Sequence, residues 1–117
     1  MQHQHRGRTF HRKKGQRAAF LKGLVGNLVV RGSIVTTIAR AKEIRPLAER
    51  AITTAKKQNV AALRILKARY PRTAAEKLYY EIAPRFKDRR GGYTRIVKQG
   101  AVRKRDGVPT ARIEFLE

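Results

Sequence analysis

The chain contains no cysteine in its 117 residues, which excludes disulfides, zinc–thiolate sites and cysteine nucleophiles. No apolar run approaches the roughly 18 residues of a membrane span. The opening MQHQHRGRTFHRKKGQR lacks the apolar stretch of a secretory signal. It is basic and acid-poor like a transit peptide, but it has one threonine and no serine. These absences point to a cytosolic chain, ready to use as made. Carboxylates are scarce as well: eight Asp and Glu stand against 29 Lys and Arg, giving a formal charge of +21 and a pI near 11.6. So much charge on a small chain repels itself, and makes sense only if a polyanion neutralises it in the working state. Nucleic acid is the first candidate and an acidic membrane surface the second. The strongest basic segments have no amphipathic helical period, which disfavours the membrane.

The eight acids leave little room for catalysis. Glu43, Glu49, Glu76 and Glu81 fall on polar faces of expected helices, where capping or i,i+4 pairing is their ordinary role. No Ser-His-Asp set, paired carboxylates or Gly-rich strand-to-helix turn is present. Gly91-Gly92 precedes a strand, not a helix, so it lacks the helix N-terminus that phosphate loops use. The expectation is a non-enzyme with no cofactor and no small-molecule substrate.

What the chain does contain is segregated. The first acid is Glu43, so residues 1–42 hold ten Lys/Arg and no carboxylate. Residues 1–12 read as an extended basic arm with nothing to bury, and 13–117 as a single domain. Phe20, Leu21, Leu24, Val25, Leu28 and Val29 form a helical stripe over about residues 13–31. Gly23 and Gly26 lie within it, tolerable if something packs closely there, and Gly32 closes it. Ser33 to Ile38 is rich in β-branched residues and reads as a strand.

Ile44, Leu47, Ala48, Ala51, Ile52 and Ala55 mark a second helix, expected to begin near 42–45 because Pro46 is tolerated only in a first turn. Asn59 caps a third, with Val60, Leu63, Leu66 and Tyr70 inward. Thr73 and Glu76 have capping-box spacing for a fourth, carrying Leu78, Tyr79 and Ile82 and closed by Pro84. Residues 93–97 and 111–116 read as strands, with Ile113 and Phe115 toward the core and a turn at Asp106-Gly107. The fold class is α+β in two layers, ordered α-β-α-α-α-β-β, with helices on a small three-stranded sheet.

Two segments carry the candidate site. The arm supplies His3, His5, Arg6, Gly7, Arg8, His11, Arg12, Lys13, Lys14 and Arg17. The C-terminal region supplies Arg89, Arg90, Gly91, Gly92, Tyr93, Thr94, Arg95, Lys98, Arg103, Lys104 and Arg105. Arginine outnumbers lysine in both, and its planar fork makes bidentate phosphate contacts and stacks on bases. The three histidines suggest metal binding less than nucleic-acid contact, since no carboxylate or thiol is near and the cations repel a metal. Lys56-Lys57 reads as a solvated face. Tyr93, between Arg90 and Arg95, suits a base-stacking aromatic and a core tyrosine equally well. No helix has the shape of a recognition helix and no helix-turn-helix spacing appears. A basic arm and basic loop on a small body suit irregular RNA better than duplex DNA. A free-standing RNA chaperone or DNA-binding architectural protein is the alternative.

With these elements in place, the chain resembles the bacterial-type large-subunit ribosomal protein seventeen family. The matching landmarks are His3, Gly7-Arg8, Arg12, Arg17, Ile34-Val35-Thr36-Thr37 and Ala41-Lys42-Glu43. The stretches IRPLAERAITTAKK, YEIAPRFKDRRGGYTRI and ARIEFLE match as well. The resemblance implies a structural role on 23S-type ribosomal RNA near the peptide exit tunnel, beside neighbouring ribosomal proteins. It implies a bacterial ribosome in the cytoplasm, with an organellar one left open. It carries RNA-facing or motif roles to Gly7, Arg8, Arg12, Arg17, Arg89, Gly91, Gly92, Tyr93, Thr94 and Arg95.

Overall fold

The computed structural model describes residues 14–102 and 107–116. The expected extended arm and the turn at Asp106 therefore lie outside the described residues. Lys14–Arg31 forms α1, and its stripe is inward: Leu21, Val25, Leu28 and Val29 are buried. Pro71 packs 3.7 Å from where a side chain on Gly26 would begin, whereas Gly23 faces open space. Gly32 ends the helix with a φ of 84°, donating its N–H to the Leu28 carbonyl at 2.7 Å. A Cβ at Gly32 would touch nothing, so replacing it costs only the left-handed backbone, about 1–2 kcal/mol. Gly32→Ala is expected to lower the melting temperature by roughly 4–12 °C. A thermal melt indistinguishable from the parent chain would remove that role from Gly32.

β1 spans Ser33–Thr37, and α2 follows at once over Ile38–Ala55. This corrects both the strand end at Ile38 and the helix start at 42–45. Thr37 is the last strand residue and also the N-cap, its Oγ1 accepting the Arg40 N–H at 3.2 Å. Pro46 consequently lies inside the helix. Its missing N–H removes the ordinary i+4 partner of the Lys42 carbonyl, on an exposed residue that solvent reaches. Six buried residues on the opposite face, from Ala41 to Ala55, hold the helix despite the interruption.

α3 covers Val60–Arg69, with the Asn59 side chain accepting the Ala62 N–H at 2.8 Å. Its buried stripe is rotated from the expected one. Ala62 and Leu66 are buried, whereas Val60 is 64% exposed. α4 begins at Arg72 and runs as α-helix to Lys77. The Thr73–Glu76 capping box does not form. Pro71 is the cap residue and gives no side-chain bond, and Glu76 pairs with Arg72 at 2.8 Å. That hydrogen bond, with help from the charge of Lys67, holds the Glu76 carboxyl below its ordinary pKa.

Pro84 does not close α4. The chain widens into a π-helical turn over Leu78–Ile82 and ends in one α turn, Ala83–Arg85. A proline inside a regular helix clashes with the carbonyl four residues back, here Tyr80, and widening the turn relieves that contact. The shifted bond runs from the Ala83 N–H to the Leu78 carbonyl. In this register the Tyr79 carbonyl would look to residue 84, and proline has no N–H to give. Gln58 fills the gap, its Nε2 donating to the Tyr79 carbonyl and to the Ala55 carbonyl, each at 2.8 Å. Gln58 sits at φ 52° in the α2–α3 turn, so its unusual backbone accompanies a bridge between two helix ends.

β2 spans Thr94–Val102 and β3 Pro109–Phe115. The sheet is antiparallel in the order β1-β3-β2, so the last strand is central. One register row aligns Ile34, Ile113 and Ile96 on the side packed with the helices. On the opposite face Val35, Arg112 and Val97 form the corresponding row. Among the described residues, then, four helical stretches and three strands follow the expected α+β order.

Candidate nucleic-acid interface

The segment between α4 and β2 is fastened at both ends by buried aromatics. Phe86 and Tyr93 are each 2% exposed, with ring centroids 5.2 Å apart. Residues 87–92, the sequence Lys-Asp-Arg-Arg-Gly-Gly, are all exposed between them. Local bonds shape this loop. The Arg89 N–H donates to the Phe86 carbonyl at 3.0 Å, and Arg89 Nη1 donates to the Gly92 carbonyl at 2.9 Å. Gly92 takes φ 64°, which a side chain would resist.

Long-range bonds then hold the loop against α2. Glu49 accepts the Tyr93 N–H at 2.9 Å, the Thr94 N–H at 2.8 Å and the Thr94 hydroxyl at 2.8 Å. Lys56 Nζ donates to the Arg89 carbonyl and to the Tyr93 hydroxyl at 3.0 Å, and lies 5.0 Å from the Tyr93 ring centre. The buried tyrosine therefore has its N–H, hydroxyl and ring all engaged. It takes the core role, as does Thr94, also 2% exposed. Neither offers a surface for base stacking in this conformation. Both act by setting where the loop stands.

On the open face of the sheet, Arg95 meets Glu114 at 3.2 Å and Arg112 meets the same oxygen at 3.4 Å. One carboxylate serves two guanidinium groups, so the face stays positive. Arg89, Arg95 and Glu114 line a single shallow depression of about 530 Å³. Arg90 and Lys98 are exposed and have no partner among the described residues. The local acids do not cancel this charge: Asp88 stands in the loop beside three cations, Lys87, Arg89 and Arg90, Glu49 is committed to backbone and hydroxyl donors, and Glu114 is shared. The result is a fixed cationic edge, suited to following a phosphate backbone.

Arg89 and Arg95 thus line one depression, and Arg90, Gly91 and Gly92 share the loop of Arg89, whereas Lys98, paired with Ala111, alternates onto the other side of β2 from Arg95. Arg17 stands elsewhere, in α1, bonded to Glu43 of α2 at 3.1 Å. Lys14 opens α1. His3, His5, Arg6, Gly7, Arg8, His11, Arg12 and Lys13, with Arg103, Lys104 and Arg105, lie outside the described residues. Sequence reasoning missed Glu49 and Lys56, assigned to helix-face pairing and a solvated face respectively. The available signal was position: Glu49 immediately follows buried Ala48, at the margin of the α2 stripe.

This chain matches the family described as ribosomal protein L17 over residues 20–116. It is similar to the large ribosomal subunit protein bL17 of Persephonella marina, 46% identical over 119 residues covering all of this chain and 96% of that one. The protein of the same name from Bdellovibrio bacteriovorus is 46% identical, covering 98% of this chain and 62% of that one. That of Thermodesulfovibrio yellowstonii is 43% identical, covering all of this chain and 88% of that one.

Proposed function

Since the chain belongs to the ribosomal protein L17 family, we propose that it is a structural constituent of the large ribosomal subunit. It binds and stabilises folded large-subunit ribosomal RNA and catalyses no reaction. The observation that carries this reading is the match to large-subunit proteins along the whole chain. The charge of +21 and the cationic edge supply the means: neutralising phosphates where RNA segments approach one another. The contact residues are the exposed Arg89, Arg90, Gly91, Gly92, Arg95 and Lys98, together with the cations of the arm and of the β2–β3 connection. Tyr93 and Thr94 hold that edge in place from beneath. Its setting is the bacterial ribosome near the peptide exit tunnel, beside other ribosomal proteins.

The test is sedimentation of the tagged full chain, expressed in a bacterial cell, through a sucrose gradient at moderate salt. The tag is expected in the large-subunit and intact-ribosome fractions. Recovery at the top of the gradient, together with equal affinity for duplex DNA and ribosomal RNA, would replace this reading with a free-standing architectural protein.

A further inference from the structure

Away from the loop and the sheet, α1, α2 and the end of α3 surround a cavity of about 340 Å³. Its inner wall is apolar. Leu21 is buried and Leu47 and Tyr70 pack against the core. Its mouth is cationic: Lys22, Arg50 and Arg69 line it, are exposed, and make no hydrogen bond or ion pair among the described residues. Arg17 is at the edge as well, turned to Glu43 at 3.1 Å. No carboxylate lines the cavity. This contrasts with Arg72, Arg95 and Arg112, which all have acidic partners. The Tyr70 hydroxyl also lacks a partner among the described residues. Burial raises its pKa, while Arg69 and Arg50 pull the other way, so it stays protonated and able to donate.

We propose that this cavity holds one unstacked nucleotide of the bound RNA, its base against Tyr70 and Leu47 and its phosphates on Arg50 and Arg69. The proposal rests on the RNA-binding reading above and adds a second contact, on a face that the basic-segment pattern did not mark. Three observations select this occupant. The volume lies at the small end of ligand pockets, enough for a ring system and too small for a helix. An apolar wall with an aromatic ring is the surface on which splayed-out bases stack. A mouth with three cations unpaired among the described residues and no acid in its lining fits the phosphates on either side of an extruded base. An apolar peptide side chain would use the wall and leave those charges without a counterpart.

The test measures binding of the full chain to a large-subunit ribosomal RNA transcript. Arg50→Gln with Arg69→Gln is expected to weaken binding about 10- to 100-fold and to flatten the salt dependence by about 1.5 log units per log of salt, the share of two phosphate contacts. The control pair Lys57→Gln with Arg64→Gln, exposed cations that line neither the cavity nor the cationic edge, is expected to change affinity less than about threefold, the loss of long-range charge without a phosphate contact. Tyr70→Leu is expected to lose about 5- to 100-fold, the range for one stacked base, and Tyr70→Phe to restore most of it. Ultraviolet irradiation of the complex is expected to leave a nucleotide adduct on the peptide carrying Tyr70. If Tyr70→Leu fails to fold in a thermal melt, the exposed arginine pair decides. Should the parent chain bind the transcript while the arginine pair behaves like the control, the nucleotide pocket is wrong and the RNA-binding reading stands. If the parent chain does not bind the transcript, both fall. Cross-linking of Tyr70 to a protein in assembled subunits, with no nucleotide adduct, overturns the proposal in favour of a protein partner.

Discussion

Raising the salt from about 50 to about 200 mM is expected to weaken binding to large-subunit ribosomal RNA by roughly three to five orders of magnitude, the loss for a protein that neutralises about 6–10 phosphates. In the proposed contact set, exposed Arg89, Arg90, Arg95 and Lys98 are four of these cations, and those of the arm are to supply others. Each contact releases condensed counterions, and added salt makes that release less favourable. The free protein should respond in the opposite direction. A net charge of +21 destabilises the compact state by self-repulsion, and salt screens it over a Debye length that shortens as ionic strength rises. Melting temperature should therefore rise over the range in which affinity collapses. Measuring both on the same samples separates loss of contacts from unfolding. An affinity that falls less than tenfold would show that charge neutralisation is not the principal term.

Replacing Glu49 by alanine is expected to remove about 2–4 kcal/mol of stability, a fall of roughly 10–25 °C in melting temperature. The carboxylate accepts from the Tyr93 N–H, the Thr94 N–H and the Thr94 hydroxyl. Hydrogen bonds to a charged acceptor contribute about 1.5–3 kcal/mol each, and a buried donor left without a partner costs about 1–3 kcal/mol. Tyr93 and Thr94 are both buried, so water cannot readily replace the lost acceptor. Three bonds on one group are not additive, which keeps the figure below their sum. Glu49→Gln retains one acceptor oxygen but turns an amide toward donors, and should lie between alanine and the parent chain. RNA affinity should fall in the same order, because the loop bearing Arg89 and Arg90 loses its attachment to α2. A melt within about 2 °C of the parent would mean that the carboxylate does not hold the loop in solution.

The legible parts of this fold share one property: they depend on neighbours close in sequence. The stripe of α1, the left-handed stop at Gly32, the Asn59 cap and the inward Ile113 and Phe115 all follow from spacing and residue type. Misreadings occurred where a residue had two local uses. Thr37 suits a strand and a helix cap, and it serves as both, which moved the start of α2 from 42–45 back to Ile38. Pro46 and Pro84 read as helix boundaries. Tertiary packing carries the first, and a π-turn with a side chain from Gln58 accommodates the second. Val60 and Ala62 could each face inward on α3, and the packing of α3 against α2 and α4 buried the smaller one.

The candidate site divides along the same line. Composition and charge segregation alone pointed to a polyanion partner, to two segments dense in cations, and to the lack of a recognisable catalytic set. These properties are sums over residues, and folding does not alter a sum. Only the tertiary structure decided that Tyr93 lies beneath the Arg89–Gly92 loop and not on it. A tyrosine has an apolar ring and a polar tip, so it is stable in either place provided its hydroxyl finds a partner. Here the hydroxyl's partner is Lys56, 37 positions away, and Glu49, 44 positions away, takes the backbone N–H. Bonds over that separation leave no periodicity in the chain, and only the packing of α2 against β2 makes them visible.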